Sequence, residues 1–227
     1  MPKIILATHN RGKLKEIQAI LGSLPIEFLS LFDYPELPEV IEDGKTLEQN
    51  AVKKAREIFK LTHIPTLADD TGLEVFYLGM APGVISARYA GDKVSYEDNN
   101  RKLLKELYAI PYEQRKAQFR CVASFIAPNI ETTVEGICQG RIIGDLRGSG
   151  GFGYDPLFMP NGYDHTFAEL SLEVKNKISH RAQAFQKMKT VILEYFSIQP
   201  ILFFAIFHIQ MIFLDNLVRY YYLMPNF

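Results

Sequence analysis

A surplus of either charge is lacking in this sequence. Lys and Arg number 25 against 26 Asp and Glu, a formal charge of -1 over 227 residues. No basic surplus is available to neutralise a phosphate backbone, which argues against a nucleic acid as partner. Cysteine is nearly absent: Cys121 and Cys138 stand seventeen positions apart and form no CxxC pair. The five histidines show no HxxxH spacing, so the pattern of a structural zinc site is missing. A membrane-spanning run is missing too. The apolar stretch Ile201 to Leu214 is 14 residues, interrupted by His208 and Gln210, against the ~20 that a bilayer crossing needs. The opening Met1-Pro2-Lys3-Ile4-Ile5-Leu6 turns polar too soon for a signal peptide, so a reducing, cytoplasmic setting is expected.

What is present is globular. Apolar residues make up 48% and charged residues 22%, a balance that buries a sizeable core and excludes disorder as the main state. The composition breaks near the C-terminus. Residues 197–227 hold only Arg219 and Asp215 as charges and eight of the 28 aromatics, and Pro200 parts them from what precedes. The reading is therefore a domain over 1–196 followed by an apolar tail over 197–227. The tail reads, in descending order, as a frameshifted or read-through end, a surface-packing extension, or a weak membrane contact. With no basic cluster beside it, stable membrane insertion is not expected.

Strands and helices alternate along the domain, which predicts an α/β fold. Lys3 to Ala7 reads as a buried strand, followed by a helix with Leu14, Ile17, Ile20 and Leu21 on one face and Gly22 as its stop. A second strand is predicted over Ile26 to Leu31. After an acid- and proline-rich loop, Thr46 and Gln49 have capping-box spacing, and Leu47, Ala51, Ala55 and Ile58 carry a helical stripe to Thr62. Thr66 to Ala68 is expected to be a strand ending in the turn-like Asp69-Asp70-Thr71-Gly72, with another strand from Leu73 to Leu78. A helix over Ser95 to Tyr108 follows, then paired strands over Phe119 to Ile126 and Thr132 to Ile143. The last helix is placed over Ser179 to Phe196, with Ala182, Phe185, Met188, Ile192 and Tyr195 inward.

Four clusters carry chemistry-bearing residues. Thr8-His9-Asn10-Arg11-Gly12-Lys13 joins a strand to a helix start, where free N–H groups and the helix dipole attract phosphate; it equally suits a capped helix with solvated Lys and Arg. Glu42, Asp43, Glu48, Asp69 and Asp70 are acidic groups near a strand end, the usual place for Mg²⁺. Adjacent strand residues face opposite ways, so one of Asp69 and Asp70 reaches a cleft; a solvated turn is the other reading. Gly148-Ser149-Gly150-Gly151-Phe152-Gly153-Tyr154-Asp155 offers close backbone approach and two aromatic rings for a base, or a hairpin with its aromatics inward. Lys175, His180 and Arg181 close the set. Donors at a helix start gain nothing from its dipole, so a bound anion or a carbonyl-rich ligand explains His180 and Arg181 better than helix stability does; a solvated first turn stays open. The four together describe a nucleotide site.

In this order the clusters resemble the inosine triphosphate pyrophosphatase family over about residues 1–196. The likeness runs through Leu6 to Lys13, Thr46 to Ala51, Ala68 to Leu73, Ala81-Pro82-Gly83, Gly150 to Pro156 and Ile178 to Arg181. It implies an elongated mixed central β-sheet with flanking helices, and two lobes around a nucleotide cleft. It also implies a homodimer, and Mg²⁺-dependent cleavage of ITP, dITP and XTP to monophosphate and pyrophosphate. By the same resemblance Thr8, Asn10 and Lys13 hold the triphosphate, with the backbone of His9, Arg11 and Gly12 between them. Glu42 and Asp70 bind Mg²⁺, and Asp70 is the catalytic proton acceptor. Thr71 contacts the nucleotide. Phe152, Gly153, Tyr154 and Asp155 wall the base, and Lys175, His180 and Arg181 touch the base or its neighbouring phosphate. His9 stands where the family often has a small residue, and Thr71 where Ser is common. The tail has no counterpart in the family pattern. Two rivals remain: a related pyrophosphatase for modified pyrimidine nucleotides, and a non-catalytic nucleotide sensor.

Overall fold

A computed structural model of the chain describes residues 1–197; the tail over 198–227 lies outside the described residues. The chain divides into a compact unit, Met1–Met188, which contains the sheet and the cleft, and a second unit, Lys189–Phe227. Six strands make one mixed sheet: β1 (Lys3–Leu6), β2 (Glu27–Ser30), β3 (Thr66–Val75), β4 (Lys116–Ala127), β5 (Ile130–Ile142) and β6 (Phe158–Pro160), in the order β2-β1-β3-β4-β5-β6. β1 runs parallel to both β2 and β3, and from β3 onward each pair is antiparallel. The α-helices among the described residues are α1 (Arg11–Leu21), α2 (Leu47–Thr62), α3 (Tyr96–Glu106), α4 (Leu172–Ile178) and α5 (180–197). No helix among the described residues is long and apolar enough to cross a membrane.

Two differences from the expected elements bear on the site. Asp69-Asp70-Thr71-Gly72 is no turn but the middle of a ten-residue strand, paired with β4 from Thr66↔Ile126 to Val75↔Ala117. Turn chemistry loses here because the ladder satisfies the backbone while cations on both sheet faces receive the carboxylates. The strand ends at Val75, and Phe76–Leu78 is a 3₁₀ turn instead of a strand. At Thr46 half of the capping box forms: the hydroxyl accepts from Gln49 N at 3.1 Å, but the Gln49 side chain accepts from Lys45 N and not from Thr46 N.

Two core clusters position the site. One packs Ala55 and Ile58 of α2 against Ile5, Ala7, Ala68 and Ile126. The other joins Leu73, Val75, Leu103, Phe119, Phe158 and Phe167. At ~1.5–3 kcal/mol for each fully buried large side chain, these clusters fix where β3 lies. β3 gives Ala68 to the first and Leu73 and Val75 to the second, so its acidic stretch crosses the ground between them. On α5, Ala182, Phe185, Met188 and Ile192 are buried as expected, while Tyr195 is only half-buried.

Candidate active site

A cleft of about 250 Å³ opens over that stretch. Its floor starts at the β1–α1 junction. Thr8 Oγ1 accepts from Asn10 N at 3.1 Å, and Asn10 caps α1 by accepting from Lys13 N at 3.1 Å. The start of α1 thus meets the cleft through Asn10 and Lys13, where the dipole favours an anion. Lys13 turns its ammonium back to Asp69, at 3.1 Å from Oδ2 and 3.3 Å from the carbonyl. Burial works most strongly against its charge, but Asp69, Asp70 and Glu42 together outweigh burial and Arg181, and its pKa is raised.

Asp69 and Asp70 project to opposite faces of β3, as strand geometry demands. Asp69 is buried between Lys13 and Arg181; despite the opposing effect of burial, Lys13 and Arg181 hold its carboxyl well below the usual range. Asp70 lines the cleft, and Asp69 does not. Asp70 Oδ1 accepts from Thr71 N at 2.9 Å and Oδ2 from Asn50 Nδ2 at 3.0 Å. Burial raises its pKa and Glu42 adds to this, against Lys54 and Lys13. Glu42 reaches Lys54 at 3.0 Å, and Lys54 stands 3.8 Å from Asp70 Oδ1, so one ammonium is shared by two carboxylates. The other two acidic candidates stay outside: Asp43 is exposed and paired with Lys53 at 2.6 Å, and Glu48 is exposed beside Thr133.

The far wall is made by the glycine-rich loop and the α4–α5 junction. Lys175 bridges Asp155 at 2.5 Å and Glu16 at 2.7 Å. Arg181, 1% exposed, meets Glu16 at 2.5 Å, Asp69 at 3.3 Å and Thr71 Oγ1 at 3.1 Å. Ser179 caps α5, accepting from Ala182 N at 3.1 Å. The anion inferred from donors at this helix start exists, but Arg181 finds it within the chain, in Glu16 and Asp69. His180 differs: its buried ring stacks on Phe119 at 4.6 Å, and Nδ1 has no hydrogen-bond partner. Burial, with Arg181 and Lys175 adding, lowers its pKa well below the ordinary value, so the imidazole is neutral at pH 7.

Thr8, His9, Asn10, Lys13, Glu42, Asp70, Thr71, Phe152, Gly153, Tyr154, Asp155, Lys175, His180 and Arg181 all line this one cleft. Arg11 and Gly12 do not. Arg11 is exposed, its guanidinium 4.5 Å above the Phe32 ring. Gly12 lies under Phe152, whose ring occupies the place of any added Cβ. Tyr154 lines the cleft but is buried, its hydroxyl donating to Ser86 O at 2.9 Å, so it packs inward while Phe152 stays half-exposed.

Sequence reading missed Glu16, Asn50, Lys54 and Tyr96. The first three sit inside apolar helical stripes, Glu16 beside Ile17 and Ile20, Asn50 and Lys54 between Leu47 and Ile58. A polar residue on a buried stripe is the signal that could have found them.

The sequence matches the Ham1 family over residues 4–191. It is 51% identical over 190 residues to a dITP/XTP pyrophosphatase of Geobacter sulfurreducens, covering 83% of this chain and 96% of that one. It is 47% identical over 195 residues to a dITP/XTP pyrophosphatase of Caldanaerobacter subterraneus, covering 86% and 98%. Among solved structures it resembles a HAM1 protein from Coxiella burnetii, with a TM-score of 0.78 and 39% identity over 86% of this chain and 100% of that one. The Ham1 protein of Staphylococcus aureus gives a TM-score of 0.76 and 36% identity over 85% and 99%. The chain belongs to the Ham1 family.

Proposed function

We propose that this chain hydrolyses ITP, dITP and XTP to the monophosphate and pyrophosphate with Mg²⁺, keeping deaminated purines out of DNA and RNA. The observation that supports it most is the charge pattern of one cleft. Lys13, Lys54, Lys175 and Arg181 meet Glu16, Glu42, Asp69, Asp70 and Asp155, which leaves one negative charge over. The surplus falls at Glu42 and Asp70, which share the single ammonium of Lys54, and burial, with Glu42 adding, raises the pKa of Asp70. Two hard carboxylate donors beside a phosphate-binding turn suit Mg²⁺, which takes one or two carboxylates and completes its shell with water and substrate phosphate.

Glu42 and Asp70 would hold the ion. Bound there, it supplies positive charge to the phosphoryl oxygens and acidifies the water it holds. Lys13 and the Thr8-His9-Asn10 turn before α1 receive the phosphates. Asp70, held by Thr71 N and Asn50, orients the attacking water and takes its proton. Asn50 ties the two acidic groups together, because its Oδ1 accepts from Gly44 N at 2.8 Å, which fixes its amide nitrogen toward Asp70.

The base lies beside Phe152 and His180. The 6-carbonyl of hypoxanthine or xanthine accepts a hydrogen bond where the amino group of adenine cannot. A neutral imidazole offers one N–H to that carbonyl, and Arg181, held by Glu16, Asp69 and Thr71, sets the local field. A buried donor left unpaired by the wrong base discriminates strongly. The same reading includes a homodimer in a cytoplasmic setting and activity carried by residues 1–196, so a chain ending at Phe196 is expected to turn over ITP.

The test is pyrophosphate release from ITP, XTP and ATP by the full-length chain with Mg²⁺. Fast release from ITP and XTP and slow release from ATP is expected. Equal release from ATP, or none from any of the three, would sink the proposal.

A further inference from the structure

Tyr96 opens α3 and lines the cleft, 47% exposed. Its hydroxyl lies 3.0 Å from Asn10 Nδ2. The sense of that bond is fixed, because Asn10 Oδ1 already accepts from Lys13 N and only the amide nitrogen is left to face the phenol. Tyr96 is thus the acceptor, and its own O–H proton has no acceptor among the described residues. On its other side the ring stands 6.2 Å from Phe152, tilted by 41°. One turn along α3, buried Asn100 donates from Nδ2 to Gly153 O at 3.0 Å. One helix is therefore pinned to both walls, to the phosphate turn through Tyr96 and to the base loop through Asn100. Tyr96 spans the gap between them.

A nucleotide lying with its phosphates at Lys13 and its base at Phe152 puts its sugar in that gap. We infer that Tyr96 is a substrate-binding residue for the nucleoside half, its phenol O–H donating to a sugar oxygen and its ring covering the exposed edge of the base site. This rests on the nucleotide reading above. An exposed ring leaves no cavity when removed, and the Asn10 cap keeps its bond to Lys13 N without it. The alternative, that Tyr96 serves only to steady the phosphate turn, makes a different prediction for a ligand with no sugar.

Inorganic tripolyphosphate is that ligand. Binding of ITP and of tripolyphosphate, each with Mg²⁺, is measured by calorimetry on the full chain carrying Asp70→Asn to stop turnover, with and without Tyr96→Phe or Tyr96→Ala. Loss of one neutral hydrogen bond predicts that Tyr96→Phe weakens ITP about three- to tenfold, that Tyr96→Ala weakens it further, and that tripolyphosphate changes by less than about twofold. The chain has no Trp, so Tyr96→Trp in the same background places a single indole at the cleft mouth, and ITP should change its emission where tripolyphosphate does not. Unchanged ITP affinity in Tyr96→Ala, or equal weakening of both ligands, overturns the inference. Failure of the native chain to release pyrophosphate from ITP overturns the nucleotide reading itself, and is scored separately.

Discussion

Replacing Glu16 by Gln tests the charge network that supports the cleft. Gln keeps the size and removes one charge. Glu16 holds Lys175 at 2.7 Å with one oxygen and Arg181 at 2.5 Å with the other, and those cations are only 4% and 1% exposed. Neither can turn to water. Removing one partner of a buried pair costs about 3–5 kcal/mol, but Lys175 retains Asp155 and Arg181 retains Asp69. The expected loss therefore sits at the low end, ~3 kcal/mol, or a fall in Tm of about 6–12 °C for a domain of this size. Urea unfolding followed by circular dichroism measures it. The pH dependence gives a second reading with a defined sign. Burial opposes the Glu16 charge, Arg181 and Lys175 outweigh burial, and its pKa lies below the ordinary 4.5. A depressed carboxylate stabilises the fold above its unfolded value and loses that contribution as pH falls through the folded one. The gap between native and Glu16→Gln is thus full at pH 7 and narrows below about pH 4.5. A loss under about 0.5 kcal/mol at pH 7, or a gap that widens on acidification, would refute the reasoning.

Other perturbations separate chemistry from folding. Asp70→Asn keeps the side chain's size but removes its charge and one of the two acceptors that Thr71 N and Asn50 Nδ2 use, and should lower kcat for ITP by about 10²- to 10⁴-fold with unchanged circular dichroism; native-like turnover would remove Asp70 from its role. His180→Phe keeps the stack on Phe119 and deletes the unpartnered Nδ1, so the fold should hold while the ITP-over-ATP ratio of kcat/KM drops about tenfold or more; an unchanged ratio would place base choice elsewhere. Gly136→Ala should destabilise the domain by more than ~2 kcal/mol, because its Cβ would overlap the His180 carbonyl and Ala184 nitrogen of α5. Both are backbone atoms that cannot rotate aside, and a soluble variant with native Tm would contradict this.

The parts of the fold that sequence made legible are those with long, regular patterning. α1, α2, α3 and the β4–β5 pair all emerge from hydrophobic patterning, with the cap at Thr46 marking the start of α2. β6 spans three residues and α4 seven, too short for a period to declare itself. β3 defeated local reading for a different reason. Asp-Asp-Thr-Gly is turn chemistry only while its carboxylates lack partners. Lys13 comes from 56 positions away and Arg181 from 112, and with them the same four residues are better as strand than as turn.

The site shows the same division between local and tertiary information. A helix start with two donors demands negative charge, and that demand is readable in Ser179-His180-Arg181. Which negative charge answers it is not readable, because Glu16 and Asp69 are brought there by α1 and β3. Their arrival changes what Arg181 can do. A guanidinium with both forks committed to carboxylates is a fixed charge, and fixed charges stabilise a charged ligand without reorganising when it arrives. His180 is the complement: it is neutral, buried and unpartnered at Nδ1, and its ring lines the cleft. On the proposed reading, charge neutralised within the protein would set the field of the cleft, and polarity left unsatisfied would set its selectivity. A substitution that frees Arg181 should therefore alter affinity for every nucleotide alike, whereas one at His180 should alter the choice among them.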